Sequence, residues 1–212
     1  MQTTLVVLGA YLLGSVSFAI VVSRLFALPD PRSYGSKNPG ATNVLRTGKK
    51  AAAAITLLGD GGKGWLAVFL AQLWTGETAL GGWSVPLGGL AVFLGHLYPV
   101  FHRFQGGKGV ATAAGVLLGF SPWLGLGTLA TWAMMLAFFR LSSLASLVAA
   151  LFAPCYAFWA FGLQPLLPVT AAMSVLLVWR HRGNLRRLVA GEESRVGAKA
   201  SPPPRDPSAG AP

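Results

Sequence analysis

Acidic side chains, histidine and cysteine are scarce in this chain: it has six Asp and Glu, three His and one Cys against 17 Lys and Arg in 212 residues. A single cysteine, Cys155, excludes an intramolecular disulfide, and its place inside an apolar run reads as a small buried hydrophobe, not a catalytic thiol. The acids are scattered: Asp30, Asp60, Glu77 and three near the C-terminus. No Asp, Glu and His cluster offers a magnesium or zinc site, so the expectation is no metal and no cofactor. Charged residues make up only 11%, hydrophobic residues 53%, and the mean hydropathy is +0.57. Those values exclude an ordinary soluble domain and point to an integral membrane protein. The formal charge of +11 does not imply nucleic acid, because the basic residues collect between apolar runs instead of covering a surface.

A hydrocarbon core about 30 Å thick needs roughly 20 helical residues. On that ruler the apolar runs fall at 3–27, 58–76, 80–101, 109–121, 122–139, 141–161 and 164–180. The first lacks a basic leader and is interrupted by Gly14-Ser15-Val16-Ser17, so it reads as a retained helix and not a signal peptide. Ser121-Pro122 joins two short runs, either as a tight outer hairpin or as a re-entrant pair. With the N-terminus outside, every Lys and Arg falls in or beside an inner segment, and the outer connectors carry only Glu77. The fold expected is therefore all-α with seven transmembrane helices, N-terminus outside and C-terminus cytoplasmic. Residues 1–193 form one membrane domain, and the proline-rich 194–212 reads as a disordered cytoplasmic tail.

Three polar segments carry the chemistry. Gly106-Gly107-Lys108-Gly109 frees the backbone to bring N–H groups around an anion and adds a positive charge, which suits phosphate. It reads equally well as a basic connector, and it lacks the spacing of a nucleotide-binding loop. The first inner loop, Asp30 to Arg46, supplies Ser36, Asn38, Thr42 and Asn43 as donors, with Gly35 and Gly40 allowing close backbone approach. Ala41 to Arg46 begins a short helix in this reading. Asp60 and Lys63, placed at the start of the second helix, share a face and read as a structural ion pair. At the inner end of the last helix, His181, Asn184 and Leu185 share a face, so that two neutral donors, His181 and Asn184, point at a substrate while the neighbouring arginines face lipid headgroups. Ser142 and Ser143 follow Arg140 and either line a pocket or bond their own helix. An anion would be balanced by Arg46, Lys63, Lys108 and Arg180 or Arg182.

In order, GSKNPGATNVLR, DGGKG and GHLYPVFHRFQGGKGVAT closely resemble the three motifs of the bacterial acyl-phosphate:glycerol-3-phosphate acyltransferase family, also called the PlsY family. The likeness extends to Arg-Leu-Ser-Ser and to RHRGNLRRLVAGEE, covering residues 5 to 193. Gly61 and Gly62 depart from it, standing where the family usually has hydrophobic residues, and the tail is longer. The resemblance implies transfer of a fatty acyl group from acyl phosphate to the 1-hydroxyl of glycerol 3-phosphate in a bacterial inner membrane, at the cytoplasmic face. Ser36, Asn38, Gly40, Thr42, Asn43, Gly106, Gly107, Lys108 and Gly109 would then meet acyl phosphate. Arg46, Lys108, Ser143, His181 and Asn184 would meet glycerol 3-phosphate, with Ser36, His96 and Lys108 as catalytic candidates. His96 is either a general base or a structural histidine, and the departing phosphate is an alternative proton acceptor. Ser36 as an acylated nucleophile lacks an evident base. A transporter of a phosphorylated metabolite is the other class considered, disfavoured because the polar groups collect at one face and not near the midplane.

Overall fold

The structure, a computed structural model, describes residues 1–197, and all regular elements in that span are helical. Most of the expected tail, 198–212, lies outside the described residues. The first apolar run forms two helices, α1 (Gln2–Gly14) and α2 (Phe18–Leu25), broken at the polar interruption. A short α3 (Ala41–Leu45) follows the first loop. Then come α4 (Lys50–Thr75), α5 (Ser84–Leu97), α6 (Val110–Phe120), α7 (Pro122–Phe139), α8 (Ser142–Phe161) and α9 (Leu166–Arg180). A last short helix, α10 (Arg182–Val189), turns off at His181.

The hydrophobic run marks where a helix meets lipid, not where it begins. α4 starts eight residues before the expected 58, so Asp60 and Lys63 sit in its interior and not at its start. Four segments are long and apolar enough to cross a membrane: 2–25, 84–102, 122–139 and 142–161. α6 and α9 are apolar but shorter. Leu, Phe and Trp side chains cover the outside of the bundle as well as its core, as expected where the surrounding solvent is lipid. Exposed Trp74, Trp83, Trp123 and Trp159 lie at the helix ends opposite the polar loops, where an aromatic belt meets the interface. Cys155 is on this outer surface, a correction to its expected burial: its helix is apolar all round, so hydrophobicity does not tell the core face from the lipid face.

α4 and α6 pack at backbone contact. A side chain at Gly64 would meet the backbone of Thr112, and one at Gly115 would meet the backbone of Gly61. This close crossing fixes the start of α6 beside the middle of α4, and there the polar residues converge.

Candidate functional site

The foundation is a buried charged cluster that also repairs the broken first helix. Lys63 Nζ donates to the carbonyl of Val16, at 2.6 Å, within the α1–α2 break, and pairs with Asp60 at 2.9 Å. The freed backbone oxygen thereby gains a partner in a region without water. His96 Nδ1 stands 3.5 Å from the same Asp60 oxygen, and Thr112 Oγ1 donates to the Asp60 carbonyl. All three charged or titratable side chains are buried, so Lys63 is committed to this cluster and is not free to balance a substrate anion.

The glycine loop is built on His96. Gly107 N–H donates to the His96 carbonyl, and the ring's Nε2 lies against the Gly107 backbone. Arg180 clamps the other side, donating to the carbonyls of Gly106 and Gly107 at 2.7 and 3.1 Å while its guanidinium lies over the Tyr98 ring. Gly106 and Gly107 are therefore buried support and do not line the cavity, contrary to the expected phosphate cradle. Their job is close packing, which uses the same absence of a side chain as anion binding and so looks identical in sequence. Gly109 does line the cavity. Its left-handed φ of 88° turns the chain into α6, whose first residues, Val110 and Ala111, line the cavity and carry the N–H groups that a helix start leaves without an intrahelical partner.

The first inner loop closes one wall. Ser36, Asn38, Gly40, Thr42 and Arg46 all line a polar cavity of about 580 Å³. Asn43 borders it too, but its amide is engaged internally: Nδ2 donates to the carbonyls of Pro31 and Tyr34, and Oδ1 accepts from Ser36 N–H. This buried asparagine shapes the loop instead of offering a free donor. Asp30 and Arg32 pair at the loop's edge, and the Arg32 guanidinium holds the Asp30 carboxyl below its ordinary range.

The opposite wall comes from α8, His181 and α10. Ser143 is buried there beside the Glu193 carboxyl, and among the described residues its hydroxyl has no hydrogen bond of ordinary geometry. His181 Nδ1 lies 2.8 Å from the Leu177 carbonyl, an acceptor only, so Nδ1 carries the proton and Nε2 is left to accept. Burial pushes the His181 pKa down to about 4, which keeps the ring neutral near pH 7. His181 is thus an acceptor, where the sequence reading had a donor. Asn184 Oδ1 accepts from Lys108 Nζ at 2.5 Å. Desolvation lowers the Lys108 pKa to about 8, with Arg187, Arg180 and Arg46 adding repulsion and Glu193 opposing it.

Arg187 and Glu193 are among the cavity residues that escaped the sequence reading. Arg187 lines the cavity instead of facing lipid, and Glu193 accepts from Arg187 Nε and from Asn184 Nδ2. The signal available was spacing, since 184 and 187 are three apart on one helix face. Leu185 points outward, and Arg182 lies exposed over Trp179, away from the cavity. Residues 194–197 continue along the cavity beyond the expected boundary, with Arg46 donating to Ser194 and Val196 N–H donating to the Arg140 carbonyl. Among the described residues no three His, Cys, Asp or Glu side chains form a metal-holding group.

The polar cavity opens into an apolar groove of about 430 Å³ between α4, α6, α7, α8 and α9. Leu57, Val110, Ala111, Trp132 and Ser146 belong to both, so the start of α6 is the junction. Cationic head-group chemistry next to a long apolar trough fits a molecule with an anionic end and a hydrocarbon tail.

Residues 4–191 match the family model for glycerol-3-phosphate acyltransferase. The chain is 61% identical over 200 residues to a glycerol-3-phosphate acyltransferase of Ralstonia nicotianae, covering 94% of this chain and 97% of that protein. Two crystal structures of PlsY (YgiH), an integral membrane glycerol 3-phosphate acyltransferase, superpose closely. The glycerol 3-phosphate form gives a TM-score of 0.86 at 37% identity, covering 93% of this chain and 96% of that one. The lysophosphatidic acid form gives 0.84 at 36% identity, covering 92% and 95%.

Proposed function

The chain belongs to the glycerol-3-phosphate acyltransferase family, and from that premise we propose that it transfers a fatty acyl group from acyl phosphate to the 1-hydroxyl of glycerol 3-phosphate, releasing lysophosphatidic acid and phosphate. The observation that carries the reading is the junction at Lys108 and the start of α6, where a cationic cavity meets an apolar groove. A head group held there leaves its acyl chain in the groove. Ser36, Asn38, Gly40, Thr42, Gly109 and the free N–H groups of α6 receive the acyl phosphate. Arg46, Lys108, Ser143 and Asn184 receive the phosphate of glycerol 3-phosphate, with Lys108 between the two subsites.

Catalysis follows from positioning. The neutral His181, with Nε2 accepting, orients the attacking hydroxyl without holding its proton. The hydroxyl oxygen bonds to the acyl carbon, and the resulting oxyanion is stabilised by Lys108 and the α6 N–H groups. Collapse breaks the bond from the acyl carbon to the phosphate oxygen, which leaves with the electron pair. The departing phosphate takes the hydroxyl proton and so leaves as hydrogen phosphate. The mixed anhydride is already activated, so positioning and charge carry the reaction. His96, packed between Asp60 and Gly107, serves as the floor under the loop in this scheme. Ser36 binds instead of forming an ester in this scheme, since among the described residues no basic side chain is hydrogen-bonded to its hydroxyl.

Seven crossings, with the N-terminus outside and the cavity at the cytoplasmic face of a bacterial inner membrane, accord with the charge distribution along the chain. The test is purified protein in lipid vesicles, given labelled glycerol 3-phosphate and either acyl phosphate or acyl-CoA. Labelled lysophosphatidic acid from acyl phosphate alone is expected. Its formation from acyl-CoA alone, or from neither donor, would overturn the reading.

A further inference from the structure

Beyond α10 the chain returns as a strap along the mouth of the cavity. Ser194 accepts from Arg46 Nη2 at 2.7 Å, and Val196 N–H reaches the Arg140 carbonyl at 2.8 Å between α7 and α8. Between α10 and these anchors sits Glu193, with a side chain only 8% exposed. Its two oxygens do different work. Oε1 accepts from Asn184 Nδ2, and Oε2 accepts from Arg187 Nε at 2.7 Å.

The first contact settles which way the Asn184 amide points. With Nδ2 drawn to a carboxylate, Oδ1 must face Lys108, as observed. Lys108, a donor only, already calls for Oδ1 on its side, and Glu193 supplies the matching acceptor for Nδ2, so the amide is held from both ends and the flipped orientation is opposed twice. The second contact holds Arg187, whose own side chain is 45% exposed and otherwise free to swing into solvent. Burial disfavours the Glu193 charge, but the side chains of Asn184, Ser143 and Arg187 outweigh it and hold the carboxyl below its ordinary range.

Resting on the reading above, we infer that Glu193 is a positioning residue of the glycerol 3-phosphate subsite, fixing the Asn184 amide, the Arg187 guanidinium and, through Asn184, the Lys108 ammonium before the substrate arrives. The strap is then part of the site and not the start of a tail. The groups facing Lys108 are Glu193 on the strap, Arg187 on α10, Arg180 at the end of α9, Arg46 after α3 and the neutral His181. Among the described residues Glu193 is the anion in this group, so it favours the charged form of Lys108. Removing its charge lowers the Lys108 pKa further from about 8, and the basic limb of activity moves to lower pH.

The experiment compares wild type, Glu193→Gln, Glu193→Asp and Glu193→Ala in vesicles, with both Michaelis constants measured across pH. Glu193→Ala is expected to raise KM for glycerol 3-phosphate roughly tenfold and to leave KM for acyl phosphate within about twofold. Glu193→Gln, close in size and thus the safer variant for folding, is expected to shift the basic limb of kcat/KM down by roughly one pH unit. Glu193→Asp should recover part of both effects. A lowered KM for glycerol 3-phosphate would overturn the inference by making Glu193 a competitor of the phosphate. An unshifted limb, or equal losses for both substrates, would overturn it by making the strap merely structural. If wild type forms no lysophosphatidic acid, the acyltransferase reading fails by itself. Calorimetric binding of glycerol 3-phosphate then decides: weaker binding by Glu193→Ala supports the positioning role, and unchanged binding refutes it.

Discussion

Asn43 and Asn184 show why residue type alone does not assign a role. Both are buried and both border the cavity, yet Asn43 ties its own loop together while Asn184 faces Lys108. The sequence offers the same amide in both places, and only the path of the backbone decides which atoms it meets. Lys63 repeats the lesson with charge. Its pairing with Asp60 was legible from the three-residue spacing, but the bond to Val16 required knowing that the first helix breaks beside it. That double duty gives a prediction. Lys63→Met leaves Asp60 buried with only His96 nearby and the Val16 carbonyl bare, and is expected to destabilise the protein by about 3 kcal/mol or more. Adding Asp60→Asn should restore a large part of that loss, because the stranded charge is gone. Thermal unfolding in detergent checks both, and two losses that simply add would show that the ion pair contributes nothing as a pair.

At the scale of elements, the apolar runs marked α5 to α9 within a few residues, since lipid demands length and hydrophobicity from each helix. What they did not mark was α4's early start, because its alanine-rich first turns, from Lys50 to Ala54, are too weakly hydrophobic to register as part of an apolar run; the first run divides at the polar interruption visible in the sequence. The groove was equally hidden, being a gap between five helices that are each apolar all round. Gly61 and Gly62 border it, and a side chain at Gly62 would enter open space. Gly62→Leu is therefore expected to keep the fold and to narrow the groove, shifting selectivity towards shorter acyl chains by several-fold in competition between acyl phosphates of different length. An unchanged preference would remove the groove from acyl-chain recognition.

For the whole molecule, segregation of charge is the organising fact. Basic residues placed between apolar runs bring Arg46, Lys108 and Arg187 from distant parts of the chain to one end of the bundle, while Trp74, Trp83, Trp123 and Trp159 mark the other. The overall plan and most cavity residues were legible from that pattern and from the motif resemblance. The supporting role of Gly106 and Gly107 and the entry of Glu193 were not, because both depend on contacts between segments far apart in sequence. If the cationic end is where acyl transfer occurs, Lys108 is the side chain on which both phosphates depend. The direct measurement is rapid-quench formation of lysophosphatidic acid and inorganic phosphate by wild type and by Lys108→Met, each shown to be folded. Equal amounts of the two products from wild type are expected, with turnover lowered roughly 10²- to 10³-fold in the variant at saturating substrates. Wild-type turnover in Lys108→Met, or phosphate released without matching lysophosphatidic acid, would contradict acyl transfer at this site.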